Sequence, residues 1–471
     1  MACMTGNSRK KTGRGRVSPG NRGQGLIGIL VVMVFVATLL LMTLMGVPFK
    51  FSIVVVVSCL IFTLSFINTD AALSILIFSM LLSPEFLLGG VSGRSVVLRA
   101  DDVFLLVIFF GWLAKMAINK DLGLLKATPL NRPLLAYVLI CIVSSGFGVL
   151  QGTNNPKQSF FYLLKYAEYF LLFFMVTNSI HRKGQVRRFT YLMFVTCVLV
   201  SIYALAVYSP TVRATAPFEG RTGEPNTLAG YLIVIISMAI GIFIYSPSTR
   251  QKLMLGGFIG FLAVPFTLTL SRSGWLSFVP AYLTFIILSG RKKVLLVLVL
   301  VLLLATGPLF FPKEVVQRYR TIVPSDRKYT VMSGQLPIDE SAWLRVKSYE
   351  NSIAIWAKYP ILGLGVPGGG SVSDVQYSRV LREVGIVGFL IFIWMLFALF
   401  RVGIRTFKDP RLDDFGRGIS LGFICALAGL VVMGVGTEVF IIIRIMEPFW
   451  FLAAMVTVLP ETYSEEEAPT A

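Results

Sequence analysis

Apolar runs of about 20 residues, each long enough to cross a bilayer as a helix, follow one another along most of the chain. They lie near residues 26–45, 51–67, 70–84, 102–118, 133–150, 160–180, 189–208, 227–245, 253–270, 274–289, 294–311, 385–402, 418–435 and 440–459. The third run is short and is followed by Pro84 and Glu85. The pattern predicts an all-α polytopic membrane protein with about 14 (12–14) transmembrane helices and one large outward-facing loop that itself contains helices.

That loop is the last long hydrophilic stretch, roughly Phe311 to Val384. Within it Ala342, Val346, Tyr349, Ile353 and Trp356 recur at spacings of four and three, one apolar face of a helix. Arg345 flanks this face. Pro360 ends the helix, and Gly363, Gly365, Gly368, Gly369 and Gly370 make a turn-rich connection. Ser373-Asp374-Val375-Gln376 reads as a capping box opening a second helix, which carries Arg379, Arg382 and Glu383 into the next span.

Composition narrows the class. Of 471 residues, 55% are hydrophobic and 14% charged, with mean hydropathy +0.78. A soluble globular chain does not have this balance. The formal charge of +19 raises the question of nucleic acid, but the basic residues cluster between the apolar runs, where they orient a membrane protein. With a cytoplasmic N-terminus, the inside loops collect Lys115, Lys120, Lys126 and Arg132, then Arg182, Lys183, Arg187 and Arg188, then Arg250 and Lys252, then Arg291, Lys292 and Lys293, then Arg401, Arg405, Lys408 and Arg411. Dropping the third span would invert every later loop, so the count is even and both termini are cytoplasmic. The organisation expected is a disordered basic tail (1–25), an N-terminal transmembrane bundle (26–311), an extracytoplasmic loop (312–384), C-terminal transmembrane helices (385–459) and a solvated acidic tail (460–471). The five cysteines form no CxxC pair and His181 is the single histidine, so neither a metal centre nor a cofactor is expected.

Arginines on the outward side have no role in orientation. Arg213 and Arg221 precede the eighth span, Arg272 lies in the tight turn Leu270–Trp275, and Arg345 lies in the large loop. The plainer reading is that they snorkel to lipid phosphates. The functional reading is anion binding, since guanidinium matches phosphate oxygens bidentately and keeps its charge. Several converging at the outer surface suit a pyrophosphate leaving group. The Gly-rich segment 363–370 lacks a GK[ST] ending, which argues against a nucleotide. A base for an acceptor hydroxyl would come from the outward carboxylates Glu219, Glu224, Asp339, Glu340, Asp374, Glu383 or Glu438. Asp374 could equally serve only the helix dipole, and Glu383 could simply pair with Arg379 one turn away. Two charge pairs fall within spans, Lys165 with Glu168 and Arg444 with Glu447. At i,i+3 each reads as a structural ion pair or as the lining of a polar cleft.

Four pieces of sequence resemble the O-antigen ligase and O-antigen polymerase superfamily. They are Leu164–Ile180 (LKYAEYFLLFFMVTNSI), Arg213 with Pro225-Asn226-Thr227-Leu228-Ala229, the turn Leu270–Leu276 (LSRSGWL), and Arg345 with Trp356, Pro360 and Gly363-Leu364-Gly365, followed by Glu383–Gly388. The likeness runs from about residue 95 to 450. It implies a metal-independent, inverting glycosyltransferase of a bacterial inner membrane, taking a polyprenyl-pyrophosphate-linked glycan as donor and a second glycan as acceptor. A chain-length regulator and a flippase are the further partners it implies, with no nucleic acid. Arg272, Arg345 and Asp374 would be catalytic. Arg213, Arg221, Asn226, Arg379 and Glu383 would bind pyrophosphate or glycan. Ligases of the superfamily typically carry a His after the GxG element. Here Asp374, Gln376 and Tyr377 stand there, which favours a polymerase over a ligase. A transporter of lipid-linked oligosaccharide and an assembly scaffold are the readings from other classes.

Overall fold

A computed structural model describes residues 49–91, 94–118, 126–209, 211–219, 223–310, 329–331, 334–336, 340–368 and 375–467. The expected first span (26–45) and the basic tail (1–25) lie outside the described residues. Fourteen helices are described: α1 Phe49–Ile67, α2 Thr69–Leu82, α3 Ala100–Ile118, α4 Asn131–Leu150, α5 Pro156–Ser179, α6 Lys183–Val207, α7 Pro225–Tyr245, α8 Thr249–Leu268, α9 Arg272–Leu288, α10 Lys293–Phe310, α11 Glu340–Trp356, α12 Gln376–Phe407, α13 Asp414–Gly436 and α14 Ile443–Glu467. Eight of them, α4 to α8 and α12 to α14, are long and apolar enough to cross a membrane. The chain is a multi-pass helical membrane protein. Contacts divide it into Met1–Thr63 and Leu64–Ala471. Among its described residues the first unit holds α1 as far as Thr63. The second holds every other element.

Two antiparallel hairpins, β1 (Glu85–Val91) with β2 (Arg94–Arg99) and β3 (Tyr329–Val331) with β4 (Gly334–Leu336), were not foretold by hydrophobic periodicity. The first explains the odd third run. The helix α2 has 14 residues, short for a bilayer of about 30 Å. Its chain leaves at Pro84 into β1 rather than continuing to the surface as helix.

The core is built from α7, α13 and α14. The apolar windows of α7 and α14 are 94% and 89% buried, against 28% for α8, so the first two are surrounded by protein while α8 keeps most of its surface for lipid. The α7–α13 crossing brings backbones together. A Cβ on Gly241 would stand 2.2 Å from the Gly418 carbonyl oxygen, and one on Gly422 2.6 Å from Met238 Cα. Small residues at such a crossing let dispersion act where lipid offers no hydrophobic drive.

The two ends of the bundle differ in chemistry. At one, Arg187 pairs with Asp413 (2.6 Å), Arg188 with Asp70 (2.8 Å) and Lys126 with Glu461 (3.1 Å). This basic end gathers loops that the charge pattern assigns to the cytoplasm. The acidic tail is not simply solvated as expected. Helix α14 runs on to Glu467, Tyr463 is buried, and its hydroxyl donates to Asp413 Oδ1 at 2.5 Å. The helix α2 joins the two ends, with Asp70 at one and Ser83, bonded to Asp101, at the other.

The expected helix after the Gly-rich connection exists, but its start differs. Gln376 is its first residue and Val375 its N-cap, with no side-chain capping bond. The capping-box reading fails because the Gln376 carboxamide is taken elsewhere: its Oε1 accepts from the Val439 and Phe440 N–H groups (3.0 and 2.9 Å). Nor is α12 continuous. Gly385 has φ 62° and ψ −167°, so a short arm, Gln376–Val384, meets the spanning part at a break. The peptide groups around the break bond to segment 360–365. Ile386 N–H donates to Pro360 O (2.9 Å), Leu364 N–H to Arg382 O (2.9 Å) and Gly365 N–H to Glu383 O (2.8 Å). Ser144 and Asn154 brace the same segment by donating to Leu362 O and Leu364 O. Backbone groups at membrane depth must be satisfied within the protein, and here they are.

The break and the basic end each set a measurable stability. At Gly385 a Cβ would lie 2.2 Å from the Ile361 carbonyl oxygen in a left-handed conformation, so Gly385→Ala is expected to cost about 2–3 kcal/mol, read as a lower thermal midpoint in detergent. Burial alone would raise the Asp413 carboxyl, but the Tyr463 hydroxyl, the Gly416 N–H and Arg187 together hold it below the ordinary Asp range. Its stabilisation is therefore present above that range and lost as pH falls through the depressed value. Asp413→Ala should cost about 1–2 kcal/mol at neutral pH, with the gap to wild type closing on acidification.

Candidate functional site

The candidate residues gather at the end opposite the basic loops, around the turn Thr437–Ile442 between α13 and α14. Four elements fasten onto this turn or the last turns of α13. From the short arm of α12, Tyr377 OH donates to Val431 O (2.5 Å). From α11, Tyr349 OH donates to Val435 O (3.0 Å). From α5, Tyr169 OH donates to Ile441 O (2.6 Å). From α9, Ser273 lies where a Cβ on Gly436 would touch it, at 3.5 Å. These helices bring Arg272, beside Ser273, and Arg345, one turn before Tyr349, to a common locality.

At its centre Arg379 binds two carboxylates, Glu383 through Nε (2.8 Å) and Glu438 through Nη1 (2.6 Å). The Arg379 and Glu383 side chains are 5% and 2% exposed, and the guanidinium lies 5.8 Å from the Tyr162 ring centroid. The Tyr166 hydroxyl approaches Glu383 Oε2 at 3.5 Å. The Arg379–Glu383 spacing is legible in sequence; Glu438 comes from a distant span. Desolvated charges of this kind hold only while each has its partner, and removing one costs about 3–5 kcal/mol.

A second group surrounds the turn Leu270–Trp275. Ser271 caps α9 by accepting from Gly274 N–H (3.1 Å) and donates to Asn226 Oδ1 (2.7 Å). Arg213 donates from Nε to Thr269 O (2.8 Å) and from Nη2 to Leu270 O (2.9 Å). Leu270 has φ 51°, so Arg213 ties down a residue in the left-handed region that a leucine rarely adopts. Arg213 is thus a brace for the turn carrying Arg272, which is itself buried. Arg221, Asp339 and Asp374 lie outside the described residues.

Of the two readings open for the charge pairs inside spans, the close ion pair is not the one observed. Among the described residues, neither Arg444–Glu447 nor Lys165–Glu168 forms a close ion pair. Arg444 turns outward instead, donating to Pro217 O and Phe218 O (2.7 Å to the latter) and pairing with Glu85 at 3.3 Å. The carbonyls of a loop turn and the carboxylate at the start of β1 are acceptors that no local spacing signals.

Glu219 follows that pinned turn. Its Oε2 accepts from the Glu224 N–H (2.9 Å), while no hydrogen bond reaches the buried Oε1 among the described residues. Burial raises its carboxyl to about 7, against the opposing pull of the Glu224 N–H and Arg444. Of the carboxylates expected to face outward, Glu383 and Glu438 are bound to Arg379 and Glu224 is exposed. A cavity of about 530 Å³ between Arg187, Tyr191, Ser248, Arg250, Asp413 and Asp414 lies at the basic end, away from all these residues.

No protein-family model matches the chain, and no curated protein matches it by sequence.

The state of Glu219 is open to measurement. A folded carboxyl raised above its unfolded value stabilises the loop at low pH, and that contribution is lost as pH rises through about 7. The protection factors of the backbone amides in segment 211–219, taken relative to intrinsic exchange at each pH, should step down across that range in wild type. In Glu219→Gln the step should vanish.

Proposed function

We propose that this protein is a membrane glycosyltransferase that polymerises polyprenyl-pyrophosphate-linked oligosaccharide repeat units at the outer face of a bacterial inner membrane. The observation that carries the reading is the convergence of α9, α11 and the short arm of α12 on the last turns of α13. It gathers Arg272 and Arg345 at the end away from the basic loops, beside Arg379, whose charge is taken up by Glu383 and Glu438. Guanidinium groups held on rigid helices at a membrane surface form an electrostatic cradle for a pyrophosphate. Such a cradle stabilises charge as it develops on the leaving group and needs no reorganisation at the moment of transfer. In the transfer, the acceptor hydroxyl oxygen attacks the anomeric carbon. The bond to the pyrophosphate oxygen breaks with its electron pair, and the hydroxyl proton passes to a base. Arg213 and Asn226 act one step back, by fixing the turn that presents Arg272. The resemblance of the LSRSGWL turn and the R…W…P…GxG stretch to the O-antigen superfamily points the same way. The absence of histidine from the segment after the GxG element favours polymerase over ligase.

The test is transfer by the purified full chain in nanodiscs, supplied with a polyprenyl-pyrophosphate-linked repeat unit and no other acceptor. A ladder of longer glycans is expected, reduced about a hundredfold in rate by Arg272→Ala or Arg345→Ala while donor binding falls less. Transfer only after a lipid core is added would make the chain a ligase. Movement of the donor across the bilayer without transfer would make it a transporter.

A further inference from the structure

We propose that the carboxyl cluster enclosed by β2, α3, α5 and α14 is a proton-binding site, with Glu447 at its centre. This site does not rest on the proposed glycan transfer. Glu447 is fully buried, and no hydrogen bond reaches either of its carboxyl oxygens among the described residues. Asp101 and Asp102 from α3 and Glu168 from α5, all buried, interact with it electrostatically. Glu168 Oε2 and Asp102 Oδ1 also have no hydrogen-bond partner among the described residues. A buried polar atom is nearly always paired, so three carboxyl groups with orphaned oxygens in one neighbourhood need an explanation.

Charge supplies it. The groups facing Glu447 and its neighbours are Arg99 at the end of β2, Lys165 and Tyr169 on α5, and Arg444 one turn earlier on α14. Arg99 is held by Asp101 at 3.2 Å and leaves its own Nε without a partner among the described residues. Lys165 is only part-buried, with its ammonium 6.0 Å from the Tyr162 ring centroid. Arg444 is committed to Glu85 and the Pro217 and Phe218 carbonyls, with Glu219 beside it. Four buried carboxyls therefore share two cations, Arg99 and Lys165, and an unmatched carboxylate in a desolvated interior is too costly to persist. The excess must be cancelled by bound positive charge. No group of three His, Cys, Asp or Glu side chains among the described residues is placed to hold a metal ion, and the charge that a single carboxylate oxygen binds by itself is a proton. It is taken from water at the outer end onto a carboxylate oxygen and returned there.

The site has an output. Arg444 lies between the cluster and the loop it pins, interacting with Arg99 and Asp101 on one side and donating to Pro217 and Phe218 on the other. Phe218, with φ 59°, depends on that pinning. Loss of the proton leaves surplus negative charge beneath Arg444 and competes with the loop carbonyls for its guanidinium, so proton occupancy is linked to the loop that bears Arg213 and Glu219.

Infrared spectroscopy of the full chain in nanodiscs tests this, across a pH series in sodium and in choline buffers. The expected result is a carbonyl band of a buried protonated carboxylic acid at neutral pH, lost on alkalinisation and unaffected by sodium. In Glu447→Gln the band should lose one carboxyl equivalent. Glu168→Gln, which removes a neighbour from the cluster, provides a second variant should the first fold poorly, and it should shift or diminish the same band. Absence of the band in wild type would overturn the proposal. So would a band unchanged in both variants, or one abolished by sodium at constant pH, which would assign the site to an alkali cation.

Discussion

A helix inside a membrane has no spare backbone hydrogen bonds, and much of the candidate site depends on one break in a helix where this protein supplies some. At Gly385 the i to i−4 ladder stops, and the carbonyls of Pro360, Arg382 and Glu383 accept from peptide groups across the break. Had α12 been continuous, Arg379 and Glu383 would have projected from a long straight rod. The break instead turns the short arm so that Gln376, Tyr377 and Arg379 reach the α13–α14 turn. One glycine conformation thereby sets the position of a buried ion triad, and the triad in turn fixes Glu438 at the end of α13.

Electrostatics divides this end of the bundle into two neighbouring regimes. Around Arg379 the charges are in close contact, one guanidinium held between two carboxylates, the arrangement in which low dielectric strengthens attraction. Around Glu447 carboxyls outnumber cations and their oxygens stand without donors among the described residues. The two regions are joined through α14 and α5, where Tyr169 and Glu168 are adjacent and serve one each. A polar interior of this extent is expensive in a membrane protein and is kept where it has work to do.

Much of the fold was legible because helical periodicity and span length are local properties. The long run that became α7 could hardly be read otherwise, and the apolar face from Ala342 to Trp356 marked α11 correctly. The Arg379–Glu383 pair is local too. What escaped was non-local. Nothing near Glu85 or Arg444 in sequence says that they meet. The i,i+3 spacing of Arg444 and Glu447 suggested a pair that loop carbonyls outcompete. Gln376 fits a capping pattern, yet its carboxamide is taken by peptide groups of a later turn. The hairpin Glu85–Arg99 was hidden because strands of its length between apolar helices carry too little alternation to stand out. Arg213 drew attention as an anion ligand, and its hydrogen bonds also make it a brace for Leu270, a role only the acceptor atoms reveal.

The glycine contacts between α7 and α13 have a mechanical meaning. Where Gly241, Gly418 and Gly422 put one backbone against another, there is no layer of rotatable side chains to act as a bearing. Sliding or rolling one helix on the other would drive peptide atoms into each other within a fraction of an ångström. These two helices form a stator. Displacement of a helix falls instead to looser, lipid-facing elements such as α8, moving on a frame that does not itself move.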